Sequence, residues 1–282
     1  MGGTKLIGKM RHEGRGSRRH EVNTGATRNP AFHFVPTCLR AFVPLLAILL
    51  ILPPAFAQTA PEPADVAAPK LGPDGKMDAK FAQRHAAFLA RDKQGNIGLV
   101  FLGDSITEGW FWGNNSEIWD AHFGKYNPVD FGIGGDKTQH VLWRIDNGEL
   151  DGISPKVLVL LIGTNNIGYP AADILRGDEK IVAEIHQKLP QTRLLLLAIF
   201  PRGADPTDPH VIEMRQKIKT VNGGLAQLDD GNMTRYLDIG DKFLAPDGSI
   251  PKDIMPDALH PNHAGFEIWA DAMQPLLDEM MK

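Results

Sequence analysis

The chain has 282 residues and a formal net charge of −4, with 43% apolar and 23% charged residues. That length accommodates one large domain or two small ones, and the balance is that of an ordinary globular fold. Basic residues cluster only in the first forty positions, so the rest carries no basic block of the kind a nucleic-acid binder needs.

Arg11, Arg15, Arg18, Arg19, Arg28 and Arg40 make those first positions basic. An apolar run from Ala41 to Leu52 follows, then Pro53-Pro54-Ala55-Phe56-Ala57-Gln58. A positive flank, a short apolar core and an A-x-A site are the three parts of a secretory signal. The run is shorter than the ~20 residues a membrane span requires. Residues 1–57 are therefore expected to be a signal peptide cleaved after Ala57, giving an exported protein, periplasmic or extracellular, with no membrane span. An uncleaved anchor is the alternative. Cys38, the only cysteine, leaves with that signal, so the mature chain holds no disulfide. Residues 58–75, rich in Pro and Ala, read as a linker, and residues 76–282 as one domain.

The domain opens with a helix over 78–92, where Phe81, His85, Phe88 and Leu89 recur at helical spacing. Short apolar runs then alternate with helical segments. The runs are Ile97 to Leu102, Val129 to Ile133, Val157 to Ile162, Leu194 to Phe200 and a weaker one, Tyr236 to Ile239. The helices fall at about 116–123, 137–146, 171–189, 209–228 and 262–280. Runs rich in Val, Ile and Leu between helices predict a parallel five-stranded sheet covered on both faces. Such sheets bind ligands beyond the carboxyl ends of their strands, and the polar and Gly-rich clusters of this sequence lie there.

The first run ends in Gly103-Asp104-Ser105. A serine at a strand-to-helix junction presents its N–H where negative charge is favoured. It is also an ordinary N-cap. The Gly-x-Ser-x-Gly elbow of the alpha/beta-hydrolases is absent. Near the C-terminus Asp257 and His260 stand three apart before a predicted helix, so that one turn brings both to one side. A carboxylate there can hold a histidine in the tautomer that a serine nucleophile needs, or it can simply cap the helix. His263 extends this cluster, but no second group of Cys, His or Glu completes a zinc set, and no metal is expected. Gly132-Ile133-Gly134-Gly135-Asp136 lacks the dinucleotide spacing and suits inward-facing N–H groups around an oxyanion. Gly163-Thr164-Asn165-Asn166 offers side-chain amides that can do the same or can serve as turn residues.

These four blocks, in this order, resemble the SGNH (GDSL-type) hydrolases. The stretch Phe131-Gly132-Ile133-Gly134-Gly135-Asp136-Lys137-Thr138-Gln139-His140-Val141-Leu142-Trp143-Arg144, with Asn147-Gly148-Glu149-Leu150 after it, is most similar to the catalytic subunits of platelet-activating factor acetylhydrolases and their exported bacterial relatives. The resemblance implies a flavodoxin-like three-layer α/β/α sandwich. It implies Ser105 as nucleophile, His260 as general base and acid, and Asp257 as the group that orients His260. It implies an oxyanion hole from the N–H groups of Ser105 and Gly135 and the amide of Asn165. Ile106, Thr164 and Leu259 match the positions that line a small acyl pocket, with core packing as their plainer role. Trp110, Phe111 and Trp112 read as a wall of the cleft, since Gly113-Asn114-Asn115 marks a loop after them, or as core of the next helix. The expected activity is hydrolysis of short-chain (acetyl) O-esters, without a cofactor, on an acetylated carbohydrate or a short-chain lipid ester. A lysophospholipase or thioesterase, or a non-catalytic carbohydrate-binding protein on the same fold, are the alternatives. The resemblance is also compatible with a homodimer.

Overall fold

A computed structural model describes residues 62–282; the expected signal peptide and the first residues of the expected linker lie outside them. The strands are β1 (Leu99–Gly103), β2 (Pro128–Gly132), β3 (Val157–Leu161), β4 (Arg193–Leu197) and β5 (Thr234–Leu237). All pair in parallel, in the order β2-β1-β3-β4-β5. This is the flavodoxin-like order, whose switch point falls between β1 and β3. Helices α1 (Ala79–Asp92), α3 (Ser116–Phe123), α4 (Thr138–Asp146), α5 (Ala171–Lys188), α6 (Pro209–Leu225) and α7 (His263–Met280) join them, with a single turn, α2 (Ser105–Glu108), after β1.

The alternation of side chains along each strand divides the core in two. Val100 and Leu102 of β1, Leu158 and Leu160 of β3 and Leu194 and Leu196 of β4 pack under α1, α4, α5 and α6. Leu99 and Phe101, Val157 and Val159, Leu195 and Leu197 face the other way, against α3 and α7. The sheet is therefore buried on both faces, which is why its strands read as unbroken apolar runs. Each fully buried side chain of this size contributes about 1.5–3 kcal/mol.

The predicted elements are found with their ends moved by up to about three residues. The clearest case is the fourth run, where the ladder stops at Leu197 although Ala198, Ile199 and Phe200 are buried. There Asn222 of α6 stands in for a neighbouring strand: its Oδ1 accepts the Ile199 N–H and its Nδ2 donates to the Ile199 carbonyl, both at 2.9 Å. The segment from residue 62 to 77, part of it expected as linker, packs on the domain. Ala64 is fully buried, its carbonyl accepts from Thr138 Oγ1 at 2.7 Å, and Ala68 N–H donates to the Gln139 carbonyl at 3.1 Å. Composition misleads here because alanine, which suits a flexible tether, also suits close approach. A side chain on Gly177 of α5 would meet the Ala64 carbonyl at 2.7 Å.

Candidate active site

The switch point brings the ends of β1, β2 and β3 together, and with them three of the four sequence blocks. After β1 the chain turns sharply. A Cβ on Gly103 would lie 2.2 Å from Thr107 Oγ1 and 2.4 Å from the Leu161 carbonyl, so only glycine fits. Asp104, not Ser105, caps α2, accepting the Ile106 N–H at 2.9 Å. Ser105 is thereby left as the first helical residue, with its hydroxyl free to act elsewhere.

That hydroxyl meets the C-terminal block. Ser105 Oγ lies 2.9 Å from His260 Nε2, and His260 Nδ1 lies 2.6 Å from Asp257 Oδ2. Asp257 does not cap α7; Asn262 does, accepting the Gly265 N–H. The other oxygen of Asp257 accepts the N–H groups of Leu259 and His260 at 3.0 and 2.7 Å. Burial works against its charge, but the bonds from His260 outweigh it and hold the carboxyl below the ordinary aspartate range. An ionised carboxylate only accepts, so the proton of a neutral His260 ring sits on Nδ1 and Nε2 accepts from Ser105. The constellation is a hydroxyl, an imidazole and a carboxylate in one hydrogen-bonded line.

Beyond β2, Gly135 takes a φ of +77°, which opens the turn. Among the described residues neither its N–H nor that of Ser105 has a protein acceptor. Asn165, beyond β3, bridges the two turns: its Nδ2 donates to Asp104 Oδ2 at 3.1 Å and to the Asp136 carbonyl at 2.8 Å. Burial pushes the Asp104 carboxyl up to about 6, against the pull of the Ile106 N–H and of the charges of His260, Arg202 and Arg144. Asn166 turns the other way and ties β3 to the start of α4, where its Oδ1 accepts the Thr138 N–H at 3.0 Å.

Ile106 and Thr164 are both buried and line one narrow gap with Asp104, Leu161, Ile162, Ile199 and Phe200 that has no room for water. Leu259 is half-buried against the same apolar layer as Ile106. The three aromatic residues after the serine turn divide. Trp110 is fully buried against Phe266 and Trp269, which corrects its reading as a cleft residue: the turn of 3₁₀ helix over Gly109–Phe111 points it inward. Trp112 is exposed, its ring centroid 5.4 Å from that of His260. It lines a cleft of about 570 Å³ with Asn114, Asp257 and His260. His263, at the start of α7, lies 3.8 Å from Glu267.

Several residues that hold this site went unrecognised in the sequence. Arg144, fully buried, donates to the Phe131 and Gly103 carbonyls at 2.9 and 3.1 Å, and pairs with Glu149 at 2.9 Å and Asp136 at 3.1 Å. Arg202 donates to the carbonyl and hydroxyl of Thr164 at 3.0 and 3.2 Å. Glu108 Oε2 accepts the Gly134 N–H at 2.7 Å, and Lys70 donates to the Gly134 carbonyl. Arg144 and Glu149 lie within the stretch that carries the family resemblance; Lys70 had no signal beyond its charge.

Comparison with known proteins assigns the chain to a family. The chain is 36% identical over 205 residues to platelet-activating factor acetylhydrolase IB subunit alpha1 of Homo sapiens, covering 72% of this chain and 85% of that protein. It is 35% identical over 217 residues to the alpha2 subunit of Rattus norvegicus, covering 77% and 90%. Among solved structures, a GDSL-like lipase from Bacteroides thetaiotaomicron superposes with a TM-score of 0.57 at 18% identity, over 71% of this chain and 98% of that one. The acetyl xylan esterase AlAXEase superposes with a TM-score of 0.51 at 20% identity, over 64% and all of its length. The family model for the GDSL-like lipase/acylhydrolase family matches residues 101–268. The chain is an ester-hydrolysing enzyme and belongs to the GDSL-like lipase/acylhydrolase family.

Proposed function

We propose that the protein is an exported serine esterase that removes short acyl groups, acetyl above all, from an acetylated carbohydrate or a short-chain lipid ester. The observation that carries the mechanism is the line from Ser105 Oγ through His260 to Asp257, at 2.9 and 2.6 Å. Ser105 attacks the ester carbonyl while His260 Nε2 takes its proton, and Asp257 stabilises the imidazolium that forms. The tetrahedral oxyanion is received by the N–H groups of Ser105 and Gly135, which lack protein acceptors among the described residues. Asn165 becomes the third donor by exchanging its bond to Asp104 for one to the oxyanion. His260 then gives its proton to the departing alkoxide. Water, activated by the same base, cleaves the acyl-enzyme and regenerates Ser105.

The preference for small acyl groups is supported by the buried state of Ile106 and Thr164, which leaves little room beside the serine turn, and by the acetylhydrolase relatives. A carbohydrate leaving group is supported by Trp112, an exposed ring against the cleft that a sugar face can cover. Action outside the cytoplasm is supported by the basic flank, the apolar run and the Ala55-Phe56-Ala57 site.

The test is hydrolysis of p-nitrophenyl acetate, butyrate and octanoate by the purified protein and by Ser105→Ala. The expected result is acetate turnover that falls steeply with chain length and is lost in the variant. Equal turnover of octanoate would remove the short-acyl reading, and full activity in Ser105→Ala would remove the nucleophile.

A further inference from the structure

The turn at Gly134 is gripped from two sides. On one, Glu108 Oε2 accepts the Gly134 N–H at 2.7 Å, and Lys80 Nζ pairs with Glu108 Oε1 at 2.8 Å. On the other, Lys70 Nζ donates to the Gly134 carbonyl and lies 3.9 Å from Asp136 Oδ1. That carbonyl and the Gly135 N–H belong to one peptide unit. The unit is planar and trans, so its C=O and N–H point in opposite directions. Fixing the oxygen therefore fixes the direction of the N–H. A cation on the oxygen also polarises the amide, and hydrogen bonds in series strengthen one another. The contact is close: a Cβ on Gly135 would lie 2.8 Å from Lys70 Nζ. The Lys70 side chain is only 23% exposed, so water screens its charge incompletely.

Lys70 lies outside residues 101–268, which the family model matches. It is delivered by the strap over residues 62–78, which is anchored at both ends. Ala64 and Ala68 bond to Thr138 and Gln139 of α4. Asp78 N–H donates to the Lys70 carbonyl at 2.8 Å, and Leu71 bridges Met77 across a turn. The lysine is thus held by its own backbone, and its ammonium bonds the Gly134–Gly135 peptide, whose N–H has no protein acceptor among the described residues.

We propose that Lys70 is a positioning residue for the oxyanion turn, holding the Gly134–Gly135 peptide and strengthening the Gly135 N–H as a donor while negative charge builds on the substrate carbonyl oxygen. This rests on Ser105 as nucleophile and Gly135 as an oxyanion donor. Lys70 acts through Gly135 and does not touch the substrate. Its contribution belongs to the transition state, so it appears in kcat and in the binding of tetrahedral anions, not in KM.

The test compares the full-length wild type with Lys70→Met, Lys70→Arg and Ser105→Ala. It measures kcat and KM for p-nitrophenyl acetate, inhibition by a small alkylboronic acid (which adds to a serine as a tetrahedral anion) and Tm. A single oxyanion donor is worth on the order of 10²–10³ in turnover, and a positioning group a fraction of that, so Lys70→Met should lower kcat by about 10-fold. KM should stay within about twofold and boronate affinity should fall by a factor similar to that of kcat, with Tm little changed, while Lys70→Arg recovers most of the loss. Wild-type kcat in Lys70→Met, with Ser105→Ala inactive, overturns the role of Lys70 alone. A loss that tracks a fall in Tm, or that Lys70→Arg shares in full, makes Lys70 an anchor of the strap and also overturns it. Activity that survives in Ser105→Ala overturns the underlying mechanism instead.

Discussion

Arg144 Nη1 lies 2.9 Å from Glu149 Oε1, and neither side chain reaches solvent. The same guanidinium holds the carbonyls of Gly103 and Phe131, at the ends of the strands that lead to the serine and glycine turns. Removing it takes from the buried carboxyls of Glu149 and Asp136 their guanidinium partner, leaving Glu149 only His85 at 3.1 Å and Asp136 only more distant charges. Arg144→Met should therefore destabilise the fold by about 3–5 kcal/mol. The check is a shift of the denaturant midpoint at unchanged slope. Arg144→Lys should fare little better, since an ammonium cannot reproduce a fork that serves four acceptors.

Most of the fold was legible because the sheet is covered on both faces. Val157 to Leu161 could read as an apolar run only if both sides of β3 were buried, and the helices between such runs force parallel crossovers. Ser105, His260 and Asp257 were legible as candidates for a different reason: Ser105 follows the end of β1 and the other two lie in the turn before α7, so their types are not explained by packing alone. What stayed hidden depended on contacts far apart in sequence. Nothing local distinguishes Lys70 from any other lysine in a Pro- and Ala-rich stretch, and nothing local says that Asn222 completes the pairing of Ile199. Trp110 and Trp112 differ only in which way a turn of 3₁₀ helix points them, and composition does not encode that direction.

Asp257 gives one oxygen to His260 Nδ1 and the other to two backbone N–H groups. Asp257→Asn keeps the shape but turns an obligate acceptor toward His260 into an amide that can donate. The ring then favours the wrong tautomer. By analogy with other serine triads, kcat should fall by up to about 10⁴ with KM little affected. Steady-state kinetics on p-nitrophenyl acetate measure this, and a loss below threefold would show that Asp257 does not set the state of His260.

Asn165 joins Asp104 to the Asp136 carbonyl, and the proposed chemistry needs it to turn one of those donors toward the oxyanion. Asn165→Ala should lower kcat on the order of 10²–10³. It should also lower Tm, because two acceptors lose a partner. The two effects separate through KM: a donor used only in the transition state leaves KM unchanged, whereas collapse of the turns would raise it.

Trp112 stands against His260 with much of its ring open to the cleft. If it receives a sugar ring, Trp112→Ala should lower kcat/KM for an acetylated xylo-oligosaccharide by about 3–10-fold, the range of one aromatic contact. The same variant should leave p-nitrophenyl acetate nearly unaffected. Equal losses on both substrates would place Trp112 in the support of His260 and not in recognition.

Stability should depend on pH through buried carboxyl groups. Burial raises Asp92 and Asp104 to about 6 and Asp130 to about 8, in each case against opposing backbone hydrogen bonds. Asp178, in α5, is pushed well above the ordinary range, and neither of its oxygens has a partner among the described residues. In the unfolded chain all four titrate near pH 4. Folding then binds protons, so their contribution to stability is fully present below about pH 4 and is lost as pH rises, for Asp92, Asp104 and Asp130 through 6 to 8. Carboxyls held low, such as Asp230 and Asp257, act in the opposite sense and remove stability below about pH 4. Tm should accordingly be highest near pH 4 and decline toward pH 8. Asp178→Asn has no proton to lose: its Tm should equal that of the wild type near pH 4 and exceed it at pH 8, with the gap widening between. Thermal melts of both proteins from pH 4 to pH 9 measure that gap. A gap that does not change with pH would mean that Asp178 stays ionised in the fold.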